Sequence, residues 1–275
     1  MAMRSTIRLA VICAALALAM TAMPAAADDV AQAGRQVVEK WQGAVVTVQM
    51  VIKSSYSYGG EEGRKREDKS EVTGVVIDPS GLVALSLSAT SPGEAFADMM
   101  PDDPEGKFQF SSELSDVKIL LLDGQEIPAN VVLRDKDLDL AFMRPKEKPA
   151  KPLAYVDLTK AAKPALLDQF IALYRLGTVA SRSLAACVDR VQSVVEKPRT
   201  FYVPGAESMS VSVGAPVFAL DASPIGVLLL RTRAGGGDEG SMFGGMSGMG
   251  MTYVVLPASD ILEAAKQAGE GEAPK

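Results

Sequence analysis

Histidine is absent from all 275 residues of this chain. Imidazole is the side chain that most often acts as a general base near neutral pH, and it is the commonest ligand of catalytic zinc. A Ser-His-Asp or Cys-His catalytic arrangement is therefore excluded, and so is a zinc site built on histidine.

Cysteine is almost as scarce, since the chain contains Cys13 and Cys187 alone. Cys13 lies in an N-terminal segment with basic residues, an apolar run over Leu9–Met20 and small residues before a cleavage site, which is typical of a secretory signal. We expect residues 1–27 to be removed and the mature protein to be secreted or periplasmic. Cys187 then has no intrachain disulfide partner, and we expect it to be buried within the run Leu184–Val188.

Basic residues are fewer than acidic residues, because the chain has 28 Lys and Arg and 34 Asp and Glu, which gives a net charge of −6. We expect no nucleic-acid partner, because a chain with net negative charge repels a polyanion. The apolar run of the signal is too short for a membrane anchor, so we expect no membrane span after cleavage. Hydrophobic residues make up 48% of the chain, which is enough for a substantial core.

The rest of the chain reads as short β-branched strands separated by turns, which is typical of small barrels. We predict an all-β protein with a helix at each end. Residues 28–146 are expected to form an N-terminal helix and a first barrel, and residues 147–275 a second barrel with a C-terminal helix. The predicted irregular segments are a loop over Ser54–Ser70, a long acidic loop over Thr90–Asp116 and a linker over Pro145–Pro152.

A first motif occupies the strand and turn Thr73–Gly81 and the strand that follows, Leu82–Leu87. Its sequence, TGVVIDPSG, combines a β-branched run with turn residues. Ser86 and Ser88 lie at the end of the second strand.

A second motif, Asp139-Leu140-Ala141, follows a hairpin with Asp123-Gly124 at its turn. The apolar residues after Asp139 predict that a strand starts here.

A third motif is the turn Val213-Gly214-Ala215-Pro216, which is followed by two short strands. Ile225-Gly226 begins the second of these strands. Small residues in such a turn allow the backbone to bend sharply.

In this order, the three motifs resemble the trypsin-like serine proteases of the bacterial HtrA/Deg branch. In that family the first motif continues into Thr-Asn-x-His-Val, the second begins at the catalytic aspartate, and the third reads Gly-Asn-Ser-Gly-Gly-Pro. The resemblance implies a trypsin-like double β-barrel. It also places Ser88 at the histidine position, Asp139 at the aspartate and Val213 at the nucleophilic serine.

The resemblance therefore implies a protease homologue that has lost its catalytic residues. A serine hydroxyl is a far weaker base than imidazole, and valine has no nucleophile. Val211 and Ala215 replace glycines on which the oxyanion hole depends. We expect a protein- or peptide-binding module without a cofactor, in which strand addition captures the partner. We expect no PDZ-like module after the second barrel, because few residues follow it.

A hydrolase with a relocated site is one alternative, because a desolvated lysine can activate a serine. Lys136 is the lysine that lies within a degenerate motif, but no serine is beside it in the sequence.

A copper(I)-binding loop is the other alternative. The glycine-rich segment 235–251 contains four methionines, whose thioethers are soft ligands suited to Cu(I). These residues are Met242, Met246, Met249 and Met251. The same composition is also typical of a flexible hairpin tip or a protein-docking surface.

Overall fold

The computed structural model describes residues 26–58, 65–91, 108–232 and 251–269. These residues form two closed antiparallel barrels of six strands each, with a few short helices. The predicted all-β fold with two barrels is confirmed.

The first barrel contains six strands in the spatial order β1-β2-β3-β6-β5-β4. The strands are β1 (Val45–Tyr58), β2 (Lys65–Val76), β3 (Val83–Ser86), β4 (Phe108–Leu120), β5 (Glu126–Asp135) and β6 (Leu140–Pro145). A helical turn, α2 (Leu87–Thr90), follows β3. The interior of the first barrel is lined by alternating apolar residues such as Val46, Val48 and Met50 of β1.

The second barrel repeats this layout with the order β10-β11-β12-β9-β8-β7. The strands are β7 (Gln169–Arg175), β8 (Leu184–Val195), β9 (Phe201–Pro204), β10 (Pro216–Ala219), β11 (Pro224–Thr232) and β12 (Met251–Pro257). Phe170, Val217 and Leu228 contribute to its own core.

A central cluster of buried residues joins the two barrels. It combines Phe142 and Leu140 of the first barrel with Ile171 and Phe218 of the second. Each of these side chains is fully buried. Burial of one such side chain contributes about 1.5–3 kcal/mol, so this shared core holds the barrels against each other.

The N-terminal helix, α1 (Ala26–Trp41), begins before the first barrel but packs against the second. Trp41 stacks on Phe218 with ring centroids 5.7 Å apart, and its indole Nε1–H donates to the carbonyl oxygen of Ala222 at 2.9 Å. The helix therefore fastens the start of the chain to the far barrel.

Arg175 of β7 makes a further connection between the barrels. Its side chain is buried, and its Nε and Nη2 donate to the carbonyl oxygens of Val45 and Gln42, each at 2.9 Å. Its backbone N–H donates to the Thr73 hydroxyl at 3.0 Å. A buried guanidinium is tolerated because these carbonyls satisfy its donors.

Several strands are longer than the sequence pattern predicts. Strand β1 continues to Tyr58 and β2 starts at Lys65, so most of the predicted loop over Ser54–Ser70 is paired. Strand β4 starts at Phe108, within the predicted loop over Thr90–Asp116. The polar residues of these segments are paired through their backbones, β1 with β2 and β4, and such pairing does not require an apolar face.

The predicted C-terminal helix is α3 (Ala258–Ala265). Pro257 is its N-cap, and no side chain caps it there. Ile261 and Ala264 are buried against the central cluster. Because Pro257 fixes its own backbone, it can open a helix without a capping side chain.

Cys187 is only half-buried, whereas the sequence predicted a buried residue. The residues around it in β8 alternate between the barrel interior and the surface, and Val188 is 40% exposed. Desolvation, with smaller effects of Asp189 and Glu207, raises the pKa of the Cys187 thiol, which disfavours the reactive thiolate.

In the part of the chain that the structure describes, no helix has the length and apolar character needed to cross a bilayer.

Replacing Arg175 with methionine should lower the free energy of unfolding by about 2–3 kcal/mol, because two buried carbonyl oxygens lose their donor. Urea denaturation measures the change. Arg190→Met is the matched control, since Arg190 is exposed on β8 and should matter little. Equal effects of the two substitutions would show that the Arg175 contacts do not stabilise the fold.

Candidate functional site

The end of β3 supplies two serines to the space between the barrels. Ser86 is fully buried, and its hydroxyl accepts a hydrogen bond from the N–H of Ala89 at 3.3 Å. This contact caps the helical turn α2 and fixes the position of Ser88 within it. The two hydroxyl oxygens lie 2.9 Å apart.

Asp139 lies in the turn that leads into β6, with a φ angle of +56°. Aspartate tolerates this left-handed conformation better than most residues. The turn directs the carboxylate toward Ser88, whose N–H donates to Oδ1 at 2.7 Å.

The second carboxylate oxygen of Asp139 accepts three more hydrogen bonds. The hydroxyls of Ser86 and Ser88 donate to Oδ2 at 2.8 and 3.2 Å. The N–H of Leu230 in β11 donates to the same atom at 3.3 Å. The carboxylate therefore receives donors from both barrels.

Burial raises the pKa of the Asp139 carboxyl above its usual value. The hydrogen bonds from Ser88, Ser86 and Leu230 favour the charged form and act in the opposite direction. Desolvation is the larger effect, so the site is not built to stabilise a strongly acidic carboxylate.

The turn at Val213-Gly214 approaches the same place from the second barrel. Gly214 has a φ angle of +90°, and the N–H of Ala215 closes the turn on the carbonyl oxygen of Ser212 at 3.2 Å. A side chain at Gly214 would overlap the carbonyl oxygen of Thr73 and come within 3.3 Å of the Ser86 nitrogen. Glycine is therefore required for the turn to sit against the first barrel.

Backbone donors in this turn are already used within the protein. The N–H of Gly214 donates to the carbonyl oxygen of Leu228 at 2.7 Å. The N–H of Val211 donates to the carbonyl oxygen of Ser208 at 3.1 Å, which closes a short helical turn. Neither group is available to a bound oxyanion in this conformation.

The structure thus brings Ser88 and Asp139 into direct contact and places the turn that contains Val213 beside Ser86. Sequence reasoning missed Leu230 as a member of the site. Its contribution is a backbone N–H, which any residue type could supply, so no sequence signal identifies it.

Lys136 is exposed in the turn before Asp139, where its carbonyl oxygen accepts the Asp139 N–H at 3.4 Å. Nothing in its surroundings desolvates the amine as a catalytic lysine requires.

Metal ligands are not assembled in the described residues, which contain no group of three or more Cys, Asp or Glu side chains suited to an ion. Met242, Met246 and Met249 lie outside the described residues. Met251 is the first residue of β12 and is partly buried. The copper hypothesis therefore stays a prediction.

No protein-family model matches this chain, and no curated protein matches it in sequence.

The residues between the barrels are poorly suited to activate a hydroxyl nucleophile. A hydroxyl nucleophile needs a base with a free lone pair and a pKa near neutrality. The Asp139 oxygens accept hydrogen bonds from four donors, and Ser86 and Ser88 donate to this carboxylate, which is a weaker base than imidazole. The cluster is a satisfied hydrogen-bond network at the contact between the barrels.

Replacing Asp139 with alanine should lower the free energy of unfolding by about 1–2 kcal/mol at neutral pH, through lost hydrogen bonds. A carboxyl whose pKa is raised on folding binds more protons in the folded state than in the unfolded state. Its contribution to stability therefore falls as pH rises above 3.8, the ordinary pKa of aspartate.

The difference in unfolding free energy between wild type and Asp139→Ala should thus be larger in acid than at neutral pH. Chemical denaturation across this range, with Asp137→Ala in the same loop as the control, measures it. A difference that grows with pH would mean that the hydrogen bonds outweigh burial and hold the pKa below its usual value.

Proposed function

We propose that this protein is a secreted, non-catalytic relative of the trypsin-like proteases of the HtrA/Deg branch, and that it binds a protein or peptide without cleaving it. The observation that carries the proposal is the contact between Asp139 and Ser88, beside the turn at Val213-Gly214. Three motifs that are far apart in the sequence meet at one point between the barrels.

The relationship is supported by the order and the placement of the motifs. In a trypsin-like protease, the two barrels each contribute catalytic residues to the cleft between them. Here the first barrel contributes Ser88 and Asp139, and the second contributes the turn with Val213. A chance match of three short motifs would not require their residues to converge in space.

The loss of catalysis is supported by the chemistry of the same residues. The chain has no histidine, and valine occupies the nucleophile position. The N–H of Val211, at an oxyanion-hole position of the family motif, is bonded to Ser208. The base and the nucleophile of the family are therefore replaced and one of the two oxyanion-hole donors is occupied, which favours a binding role over catalysis.

We predict that the mature protein does not hydrolyse unfolded casein and that a fluorophosphonate probe labels none of its serines. The reason is that the hydroxyls of Ser86 and Ser88 donate to a carboxylate, which is a weaker base than the imidazole of a protease. Gel fluorescence after probe treatment measures labelling, with trypsin as the positive control. A labelled serine would overturn the non-catalytic proposal, and peptide mapping would identify it.

Restoring the family residues with Ser88→His and Val213→Ser should give weak activity at most. A protease without its triad keeps an acceleration of about 10³–10⁴ over water when the oxyanion hole is intact, and here Val211 closes that hole. Adding Val211→Gly to the double variant should raise activity further. Full activity in the double variant alone would show that the oxyanion hole is preformed.

A further inference from the structure

The first half of β8, Leu184–Val188, has a strand neighbour on one side only. Its register with β7 pairs every one of these residues. Strand β9 pairs with β8 only from Val191 onward. Among the residues that the structure describes, no strand borders the second side of Leu184–Val188, and we call this side the β8 edge.

The direction of the backbone groups follows from two hydrogen bonds near the ends of this segment. Ser183 directs its carbonyl oxygen toward β7, where it accepts the N–H of Leu176 at 3.0 Å. Arg190 directs its carbonyl oxygen the other way, where it accepts the N–H of Gly205 at 3.0 Å. Alternate residues of an antiparallel strand direct their N–H and C=O groups to opposite sides. The residues that share the orientation of Arg190 are Leu184, Ala186 and Val188.

These outward backbone groups have no hydrogen-bond partner in the described part of the chain, apart from a 3.8 Å contact between the Cys187 Sγ and the carbonyl oxygen of Val188. A row of unpaired N–H and C=O groups, repeated every second residue, matches the groups of another extended backbone. The β8 edge therefore favours a β-strand as its occupant.

The chain itself does not supply this strand among the described residues. Strand β9 stops at Pro204, and a short helical turn over Glu207–Ser210 follows. Ser208 in this turn is buried, and its N–H and hydroxyl donate to the Asp189 carboxylate at 2.8 and 2.7 Å. These bonds hold the turn next to Asp189 in a helical conformation, so it does not pair with the β8 edge.

An apolar groove of about 400 Å³ lies beside the β8 edge, between β8 and α1. Ala186 and Val188 belong to the β8 wall, and both side chains are exposed. Val30, Gly34 and Val38 belong to the α1 wall. Side chains on the outer face of a strand added to β8 would lie next to these aliphatic groups, because side chains of neighbouring strands share a face.

The charged residues of the groove indicate which side chains it accepts. Arg35 and Glu39 of α1 both line it, and they carry one charge of each sign. The groove therefore attracts neither an acidic nor a basic segment, and its aliphatic lining favours uncharged apolar side chains.

We propose that the β8 edge binds an extended segment of a partner polypeptide as an added strand. The backbone of the segment pairs with Leu184, Ala186 and Val188, and its outward-facing side chains are uncharged and apolar and occupy the groove beside α1. The inference rests on the proposed binding function and specifies its site and ligand chemistry.

The test is fluorescence anisotropy of a short fluorescein-labelled peptide that alternates valine and serine, titrated with the protein from residue 28 onward. Saturable binding that changes little with salt is expected. Two further peptides carry N-methyl groups, one at its valines and the other at its serines. In an added strand only one set of amides faces β8. One methylated peptide should therefore bind nearly as well as the parent, and the other at least about tenfold more weakly, which corresponds to 1.4 kcal/mol.

Replacing Ala186 with proline removes an N–H from the β8 edge and no hydrogen bond to β7, so the variant should fold. It should bind the peptide about tenfold more weakly. Ala186→Ser is the matched control, because it changes the side chain and keeps the N–H, and it should bind like the wild type. Circular dichroism checks folding. The methylated peptides test the same contact on the wild-type protein if Ala186→Pro does not fold.

A second variant tests the groove. Val188→Asp places a carboxylate among aliphatic side chains and should weaken binding by at least about tenfold. Gln192→Asp is its control, because Gln192 is exposed on the same face of β8 and lies outside the groove.

Absence of saturable binding, equal weakening by the two methylated peptides, or equal affinities of Ala186→Pro and Ala186→Ser would overturn the β8 edge as the site. Sedimentation of the wild type should show a monomer. A dimer that Ala186→Pro dissociates would assign the β8 edge to a second copy of the chain and overturn the proposal of a partner.

A pool of random peptides separates this failure from failure of the proposed function. Pool peptides that bind the wild type and Ala186→Pro with the same affinity would contradict the β8 edge and leave a binding function in place. Absence of any bound peptide would contradict both.

Discussion

The carboxylate of Asp139 is the polar interaction in which elements of both barrels meet. It accepts hydrogen bonds from Ser86 and Ser88 of its own barrel and one from the N–H of Leu230 in the second, so separating the barrels would remove the Leu230 donor. Arg175 makes a contact in the other direction, because it belongs to the second barrel and its guanidinium donates to the carbonyl oxygen of Val45 in the first. These polar contacts fix the orientation in which the central apolar cluster packs.

This arrangement has a consequence for function. In a protease of this fold, the groups between the barrels must be free to bind a substrate and transfer its protons. Here Asp139 and Gly214 instead complete the contact between the barrels, and their hydrogen-bonding capacity is used internally.

Much of the fold was predictable, because turn residues and β-branched runs are local signals. The family resemblance assigned Ser88 and Asp139 to two positions of a catalytic triad, and no local sequence pattern indicated that these residues are in contact. The part that Leu230 plays in the site could not be predicted, because it is a hydrogen bond from the backbone N–H, which does not depend on the side chain. The sequence prediction was wrong about the burial of Cys187 and about the length of β1, which extends to Tyr58. Both depend on how strands pair with segments that are distant in the sequence.

Native-state hydrogen exchange of the Ser88 and Leu230 amides tests most directly whether the site between the barrels is a closed structural contact. If Asp139 holds both barrels together, the two amides should exchange only through global unfolding, with the same free energy as core amides such as that of Phe142. Exchange of the Leu230 amide through a low-energy local opening would contradict the account, because it would show a cleft that opens in the folded protein.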